Sequence, residues 1–134
     1  MNGTDSVELN VETRGAGDGL VLIHGFGGSI VSWRHLMPAL AQRRYAVAVD
    51  LLGHGDSPKP EDGEYTVENQ AQLVLETCDR LAINRFVLCG HSYGGTVALQ
   101  MAWDILNGEH SKAHAGAPSP ESERLQGLII VSGA

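Results

Sequence analysis

The stretch that decides the fold is Phe86-Val-Leu-Cys-Gly-His-Ser-Tyr-Gly-Gly95, an apolar run that breaks into a glycine-rich turn. Beyond it, Val97, Ala98, Met101, Ala102 and Ile105 leave a helix apolar around most of its circumference, so the segment predicts a buried, central helix. A strand that feeds a helix through so short a turn brings backbones into close approach. Gly90 and Gly94, two positions before and two after Ser92, leave room for that approach. Such a turn forces strained backbone angles on Ser92 and stands its hydroxyl clear of the sheet, where a nucleophile has to be. The first turn of the helix also aims unpaired N–H groups at the serine and favours negative charge on a reacting oxygen. The plainer alternative is a glycine-rich turn with an incidental serine. The matching strand and helix favour the nucleophile.

Three further apolar runs have the same character: Leu20-Val-Leu-Ile23, Tyr45-Ala-Val-Ala-Val49 and Leu128-Ile-Ile-Val131. None alternates polar with apolar, so each of the four predicts a strand buried on both faces, as in a parallel sheet. The intervening segments have helical spacing. Trp33, Leu36, Met37 and Leu40 recur at helical intervals, and Pro38 predicts a turn over 34–37 followed by a short helix from Pro38. After Thr66, a candidate N-cap, Val67, Ala71, Val74, Cys78 and Leu81 form one apolar stripe and predict a helix over 66–81. Strand alternating with helix predicts a βαβ architecture with right-handed crossovers. Residues 6–13 alternate and predict an antiparallel edge strand with one wet face. The stretch from Asn107 to Arg124 is rich in Ala, Gly, Pro, Ser and Glu and predicts a flexible surface insertion.

Composition sets the outer limits. The chain has 134 residues, 43% apolar and 19% charged, which suits one globular domain and excludes disordered and coiled-coil classes. Sixteen acidic residues against nine basic ones, a net charge of −7, argue against a nucleic-acid surface. No apolar run approaches a membrane span, and the polar start from Met1 to Ser6 lacks a signal-peptide pattern. Cys78 and Cys89 stand apart and read as buried reduced thiols, which makes the cytoplasm the default compartment.

Two more motifs follow strands. In His24-Gly25-Phe26-Gly27-Gly28 the glycines let the backbone turn toward the elbow, so that the Phe26 and Tyr93 N–H groups supply a two-donor oxyanion hole. His24 is better read as a ring bracing that loop than as a catalytic base. In Asp50-Leu-Leu-Gly-His54-Gly-Asp-Ser-Pro58, Asp50 and His54 form an acid–base pair by type, but side chains in such loops commonly hold the loop's own backbone. A dinucleotide-binding alternative takes Gly25-Phe26-Gly27 as a phosphate loop and Asp50 as a ribose ligand. It fails at Ile30, where a third glycine is required, and leaves the Ser92 turn unexplained.

The ordered set His24-Gly-Phe-Gly-Gly, Asp50-Leu-Leu-Gly-His-Gly-Asp-Ser and Gly90-His-Ser-Tyr-Gly-Gly resembles the α/β-hydrolase superfamily. The resemblance runs from the edge strand to Gly127-Leu-Ile-Ile-Val-Ser-Gly133, which is similar to the family's sixth strand. It implies a mostly parallel sheet with flanking helices and a Ser92 nucleophile supported by Gly90, Gly94, His24 and Gly25. It also implies oxyanion donors at Phe26 and Tyr93. The implied reaction is hydrolysis of a small ester or related carbonyl substrate without a cofactor or metal, as in esterases, haloperoxidase-like members and carbon–carbon bond hydrolases. Serine at the elbow sets the chain apart from the dehalogenase and epoxide-hydrolase branches, which carry aspartate there. In this family the catalytic acid and then the histidine base follow later strands. Among later residues the sequence offers only Asp104, Glu109, Glu121 and Glu123, with His110 and His114 in the insertion. The expectation is therefore the N-terminal portion of such a domain, truncated after the apparent sixth strand. The acid and base are then absent, and the chain alone is nearly inactive. A non-catalytic fragment is the alternative.

Overall fold

The computed structural model describes residues 7–108 and 121–132. Its strands are β1 (Val11–Arg14), β2 (Gly19–Ile23), β3 (Tyr45–Val49), β4 (Phe86–His91) and β5 (Leu125–Val131). Among the described residues they form one sheet in the order β1-β3-β2-β4-β5, antiparallel only where β1 meets β3. The helices are α1 (Met37–Leu40), α2 (Val67–Arg80) and α3 (Tyr93–Leu106). The chain steps from β2 to β3 in one direction, then crosses back over β2 to β4 and β5. The winding thus reverses between β2 and β4, and in open α/β sheets the crevice at such a reversal is where ligands bind.

Alternation along the strands sends their residues to two cores. Val21, Ile23, Val47, Val49 and Leu88 pack under α2 and α3 with Val74, Val97, Met101 and others. Leu20, Leu22, Ala46, Ala48 and Cys89 pack on the opposite face against Trp33 and Met37. Both cysteines are free and buried, and burial pushes the Cys78 thiol up to about 12. Thr66 caps α2 as predicted, its Oγ1 accepting from the Asn69 N–H at 3.1 Å. No described helix is long and apolar enough to cross a membrane.

Several boundaries differ from the sequence reading. The edge strand occupies 11–14, where Val11 to Arg14 pair with Val49 to Ala46; Ser6 lies outside the described residues. Helix α1 starts at Met37, one residue before Pro38, and a 3-10 turn at Ile30–Trp33 precedes it, capped by Ser29. Of the predicted insertion, residues 109–120 lie outside the described residues. Its far end is anchored: Arg124 pairs with Asp79 at 3.0 Å, donates to the Ile83 carbonyl at 3.0 Å and lies over the Phe86 ring.

The larger departure is burial on the β5 side. The unbroken apolar run Leu128 to Val131 predicts cover on both faces, yet each residue is between 36% and 49% exposed. Consecutive strand residues point to opposite faces, so neither face of β5 is fully covered by a described element. Leu99, Trp103 and Leu106, spaced along one side of α3, are likewise more than half exposed. The residue pattern records what these elements can bury, while actual burial depends on what packs against them.

Candidate active site

Ser92 sits between β4 and α3 with φ 55° and ψ −118°, one of two non-glycine residues with positive φ among those described. Holding a serine there costs on the order of 1–3 kcal/mol unless the surroundings enforce it. They do. The Ser92 N–H donates to the Val131 carbonyl at 2.9 Å, and the Gly95 N–H donates to the Ser92 carbonyl at 2.8 Å. A Cβ at Gly94 would lie 2.7 Å from the Ile23 carbonyl carbon, and one at Gly90 would lie 2.6 Å from the Gly95 nitrogen. These two close approaches press the start of α3 against the ends of β2 and β4. The Ser92 side chain is exposed, and its hydroxyl makes no hydrogen bond to the described residues.

Facing the elbow, residues 24–28 leave β2 through a tight turn. The Gly28 N–H donates to the Gly25 carbonyl at 2.9 Å, and Gly27 takes φ 80°, the conformation required at the third position of such a turn. A Cβ at Gly25 would stand 3.4 Å from the Ser92 Cβ, so the turn lies directly against the serine. The Phe26 and Tyr93 rings meet edge-to-face at 6.0 Å. Neither residue's N–H donates to another described residue. Burial, helped by the charge of Glu68, pushes the Tyr93 phenol up and keeps it neutral. Phe26 and Tyr93 line a cleft of about 510 Å³ together with Leu52, His54, Tyr65 and Gln70; Ser92 lies outside that lining.

The other polar residues of the motifs serve the backbone. His24 is fully buried; the Leu51 N–H donates to its Nε2 at 3.0 Å, and its Nδ1 lies 2.7 Å from the Gly25 carbonyl. A backbone N–H can only donate, so Nε2 is the acceptor and the proton sits on Nδ1, directed at Gly25. Burial pushes His24 below the ordinary imidazole range. The Gly25 hydrogen bond opposes this, His54 adds to it and Asp50 opposes it. Asp50 is also buried. Its Oδ1 accepts from the Ile30 N–H at 2.7 Å, and its Oδ2 accepts from Asn10 Nδ2 at 3.0 Å and the Asp56 N–H at 2.9 Å. Burial alone would push this carboxyl up, but the donors from Asn10, Asp56 and Ile30, with His24, hold it below the usual range. The two carboxylate oxygens are thus occupied by loop donors, whereas the paired acid–base and ribose-ligand readings need them free. His54 Nδ1 lies 3.1 Å from the Leu52 carbonyl, and its ring packs against those of His24 and Phe26.

One participant, Gln70, escaped the sequence reading. Its Oε1 accepts from the Leu52 N–H at 3.0 Å and its Nε2 donates to the Leu52 carbonyl at 3.0 Å. The signal was available: Gln70 lies three residues after Val67 and four before Val74, a polar residue inside the apolar stripe of α2.

No described imidazole or carboxylate hydrogen-bonds to Ser92 Oγ. Asp104 accepts from Gln100 Nε2 at 3.0 Å, and at the helical rise it lies about 18 Å along α3 from Ser92. Glu109, His110 and His114 lie outside the described residues, as does the Glu121 side chain. Among the described residues no three His, Cys, Asp or Glu side chains gather as a metal site would require.

Comparison with known proteins extends the geometry. Residues 19–109 match the family model described as the alpha/beta hydrolase fold. The 2-hydroxy-6-oxo-2,4-heptadienoate hydrolase of Pseudomonas putida is 32% identical over 130 residues, which is 95% of this chain and 47% of that protein. The soluble epoxide hydrolase of Corynebacterium sp. strain C12 is 40% identical over 96 residues, 72% of this chain and 33% of that protein. A solved N-acyl homoserine lactone degrading enzyme superposes with a TM-score of 0.79 at 28% identity, covering 97% of this chain and 44% of its own. The chain spans less than half the length of these relatives. The mostly parallel sheet, the helices on its two faces and the match over two thirds of the chain place this protein in the alpha/beta hydrolase fold family.

Proposed function

We propose that Ser92 is the nucleophile of a serine hydrolase acting on a small ester or related carbonyl substrate. The Ser92 hydroxyl adds to the substrate carbonyl as its proton passes to a base. The resulting tetrahedral oxyanion accepts from the Phe26 and Tyr93 N–H groups, and collapse expels the leaving group to give an acyl-enzyme. Water then releases the acid. Each oxyanion donor contributes about 3–4 kcal/mol of transition-state stabilisation in well-studied cases. The observation that carries the reading is Ser92 itself: a serine held at φ 55° between two glycines that cannot carry a Cβ, with its hydroxyl unengaged among the described residues. Relatives include both a carbonyl-substrate hydrolase and an epoxide hydrolase. Serine at position 92, in place of the aspartate associated with epoxide opening, favours the carbonyl reaction.

The groups that activate Ser92 are proposed to lie outside the described residues, since none there hydrogen-bonds to its hydroxyl. In serine proteases, loss of a catalytic histidine costs up to ~10⁶ in turnover, while binding and the oxyanion hole alone keep ~10³–10⁴ over water. The test is fluorophosphonate labelling of this chain with adduct mapping by mass spectrometry, with and without added imidazole as an external base. The expected result is slow labelling confined to Ser92, accelerated by imidazole and abolished by Ser92→Ala. Fast labelling without imidazole would place the base within the chain. Labelling that stays absent in imidazole, or that survives Ser92→Ala, overturns the nucleophile.

A further inference from the structure

Hydrogen bonds, joined by one backbone step from Leu52 to Leu51, connect α2 to the turn that carries Phe26. Gln70 grips both polar groups of the Leu52 backbone at 3.0 Å. The adjoining Leu51 N–H donates to His24 Nε2 at 3.0 Å, and His24 Nδ1 reaches the Gly25 carbonyl at 2.7 Å. That same carbonyl accepts the Gly28 N–H at 2.9 Å, which closes the turn around Phe26. Gln70 and His24 are each at least 98% buried, so water does not compete for these bonds. We infer that Gln70 is a positioning residue for the Phe26 N–H, acting through the Leu51–Leu52 backbone and a His24 ring locked with its proton on Nδ1.

The chemistry of the link is directional. Gln70 presents an acceptor and a donor that match one residue's N–H and C=O, much as a neighbouring strand does. This fixes the rotation of the peptides on either side of Leu52; the Leu51 N–H lies one peptide earlier, so the grip reaches it through the Leu51 backbone angles and narrows the directions that N–H can take. An N–H aimed at Nε2 excludes the other imidazole tautomer, because two N–H groups cannot share one bond. The surviving Nδ1–H then holds the Gly25 carbonyl where Gly28 also needs it. A carbonyl gripped from two sides cannot flip, and Phe26, the next residue, inherits the orientation of its N–H from that peptide. The inference rests on the reading of the Phe26 N–H as an oxyanion donor, but the His24 ring reports on the relay without any catalysis.

The experiment is long-range ¹H–¹⁵N correlation of the His24 ring together with amide exchange, on this chain and on Gln70→Met and Gln70→Glu. In the wild type, Nε2 should appear unprotonated and Nδ1 protonated. Gln70→Met keeps the length but loses both bonds; exchange at Leu51, Leu52 and Gly28 should accelerate by about tenfold, as loss of a hydrogen bond allows. The His24 ring should shift to mixed tautomers, while amides of β1 keep their rates. Gln70→Glu retains an acceptor for the Leu52 N–H and should restore much of the wild-type ring signal, which a purely volumetric role for Gln70 does not predict. A wild-type ring protonated on Nε2 overturns the inference without any variant. So does a folded Gln70→Met in which only Leu52 exchange changes. If Gln70→Met does not fold, Gln70→Glu decides by the same signals. Failure of Ser92 labelling with an intact His24 response removes the hydrolase reading and leaves the relay standing.

Discussion

At the carboxyl end of β3 the chain leaves the sheet through Asp50, and at the carboxyl end of β4 it leaves through Ser92. Both residues are polar and both are followed by glycine-rich sequence. At Asp50 the side chain holds the loop: three donors converge on its two oxygens, and the Ser57 hydroxyl donates to its carbonyl at 2.6 Å. At Ser92 the backbone does the holding. Gly90 and Gly94 admit contacts no Cβ would allow, the Ser92 N–H is tied to Val131, and the Ser92 hydroxyl makes no hydrogen bond among the described residues. A polar side chain whose every atom is engaged by backbone is maintaining a shape. One that is held in strain with its hydroxyl unengaged is available for chemistry.

That contrast breaks most severely at Gly94. Gly94→Ala drives a Cβ into the carbonyl groups of Ile23 and His24, rigid backbone at the centre of the sheet. The expected loss is about 4 kcal/mol or more, enough to abolish a cooperative thermal melt. A Gly94→Ala protein melting within a few degrees of wild type would show that the elbow yields easily.

Asp50 comes next. Asp50→Ala leaves the Ile30 and Asp56 N–H groups without their acceptor and should cost about 3 kcal/mol in urea unfolding, with Asp50→Asn costing less because an oxygen remains. Equal losses for the two variants would mean that charge, rather than the count of acceptors, holds the loop. Much of this division was legible in the sequence. The glycines flanking Ser92 and the strand–helix pair announced the elbow, and Asp50, opening the loop that closes with Gly55-Asp-Ser-Pro58, suggested a brace. The partners were not legible. Asn10, Ile30 and Asp56 reach Asp50 from three separate segments, and only the sheet order brings Asn10 to it. The 3-10 turn at Ile30–Trp33 was hidden because its local propensity is weak and a Ser29 cap with the Asp50 contact sets it. The half-exposed faces of β5 and α3 could not be read either, because apolar periodicity identifies a face suited to burial without naming its cover.

His24 belongs with Asp50 in this comparison, and pH separates the two. The folded state holds His24 below the ordinary value of 6.5, so between those values the unfolded chain binds the extra proton. The stability this confers is full above pH 6.5 and is lost as pH falls through the lower folded value. Asp50, held below 3.8, adds a second loss that begins only under that pH. Melting temperature followed from pH 8 to pH 3 should therefore fall in two stages. His24→Asn should cost about 1–2 kcal/mol at pH 8, through the lost acceptor for Leu51, and should remove the upper stage. A His24→Asn protein that keeps the upper stage would assign it to another group.

The smallest effect is the most discriminating, because it has the opposite sign. If Ser92 is strained and its hydroxyl is unengaged, its side chain contributes nothing to the fold that an alanine would lose. Ser92→Ala keeps the Cβ and the positive φ, so its stability should stay within about 0.5 kcal/mol of wild type. Ser92→Gly removes the Cβ penalty at φ 55° but frees the unfolded chain; glycine's entropic cost of about 0.5–1 kcal/mol opposes a strain relief of about 1–3 kcal/mol. The balance favours the folded state, so Ser92→Gly should melt higher than Ser92→Ala while both lose fluorophosphonate labelling. A residue placed for structure behaves the other way: replacing it costs stability, as at Asp50. Should Ser92→Gly instead destabilise the protein relative to Ser92→Ala, the turn would be holding the serine at no expense, and backbone strain would no longer support the proposed role of Ser92.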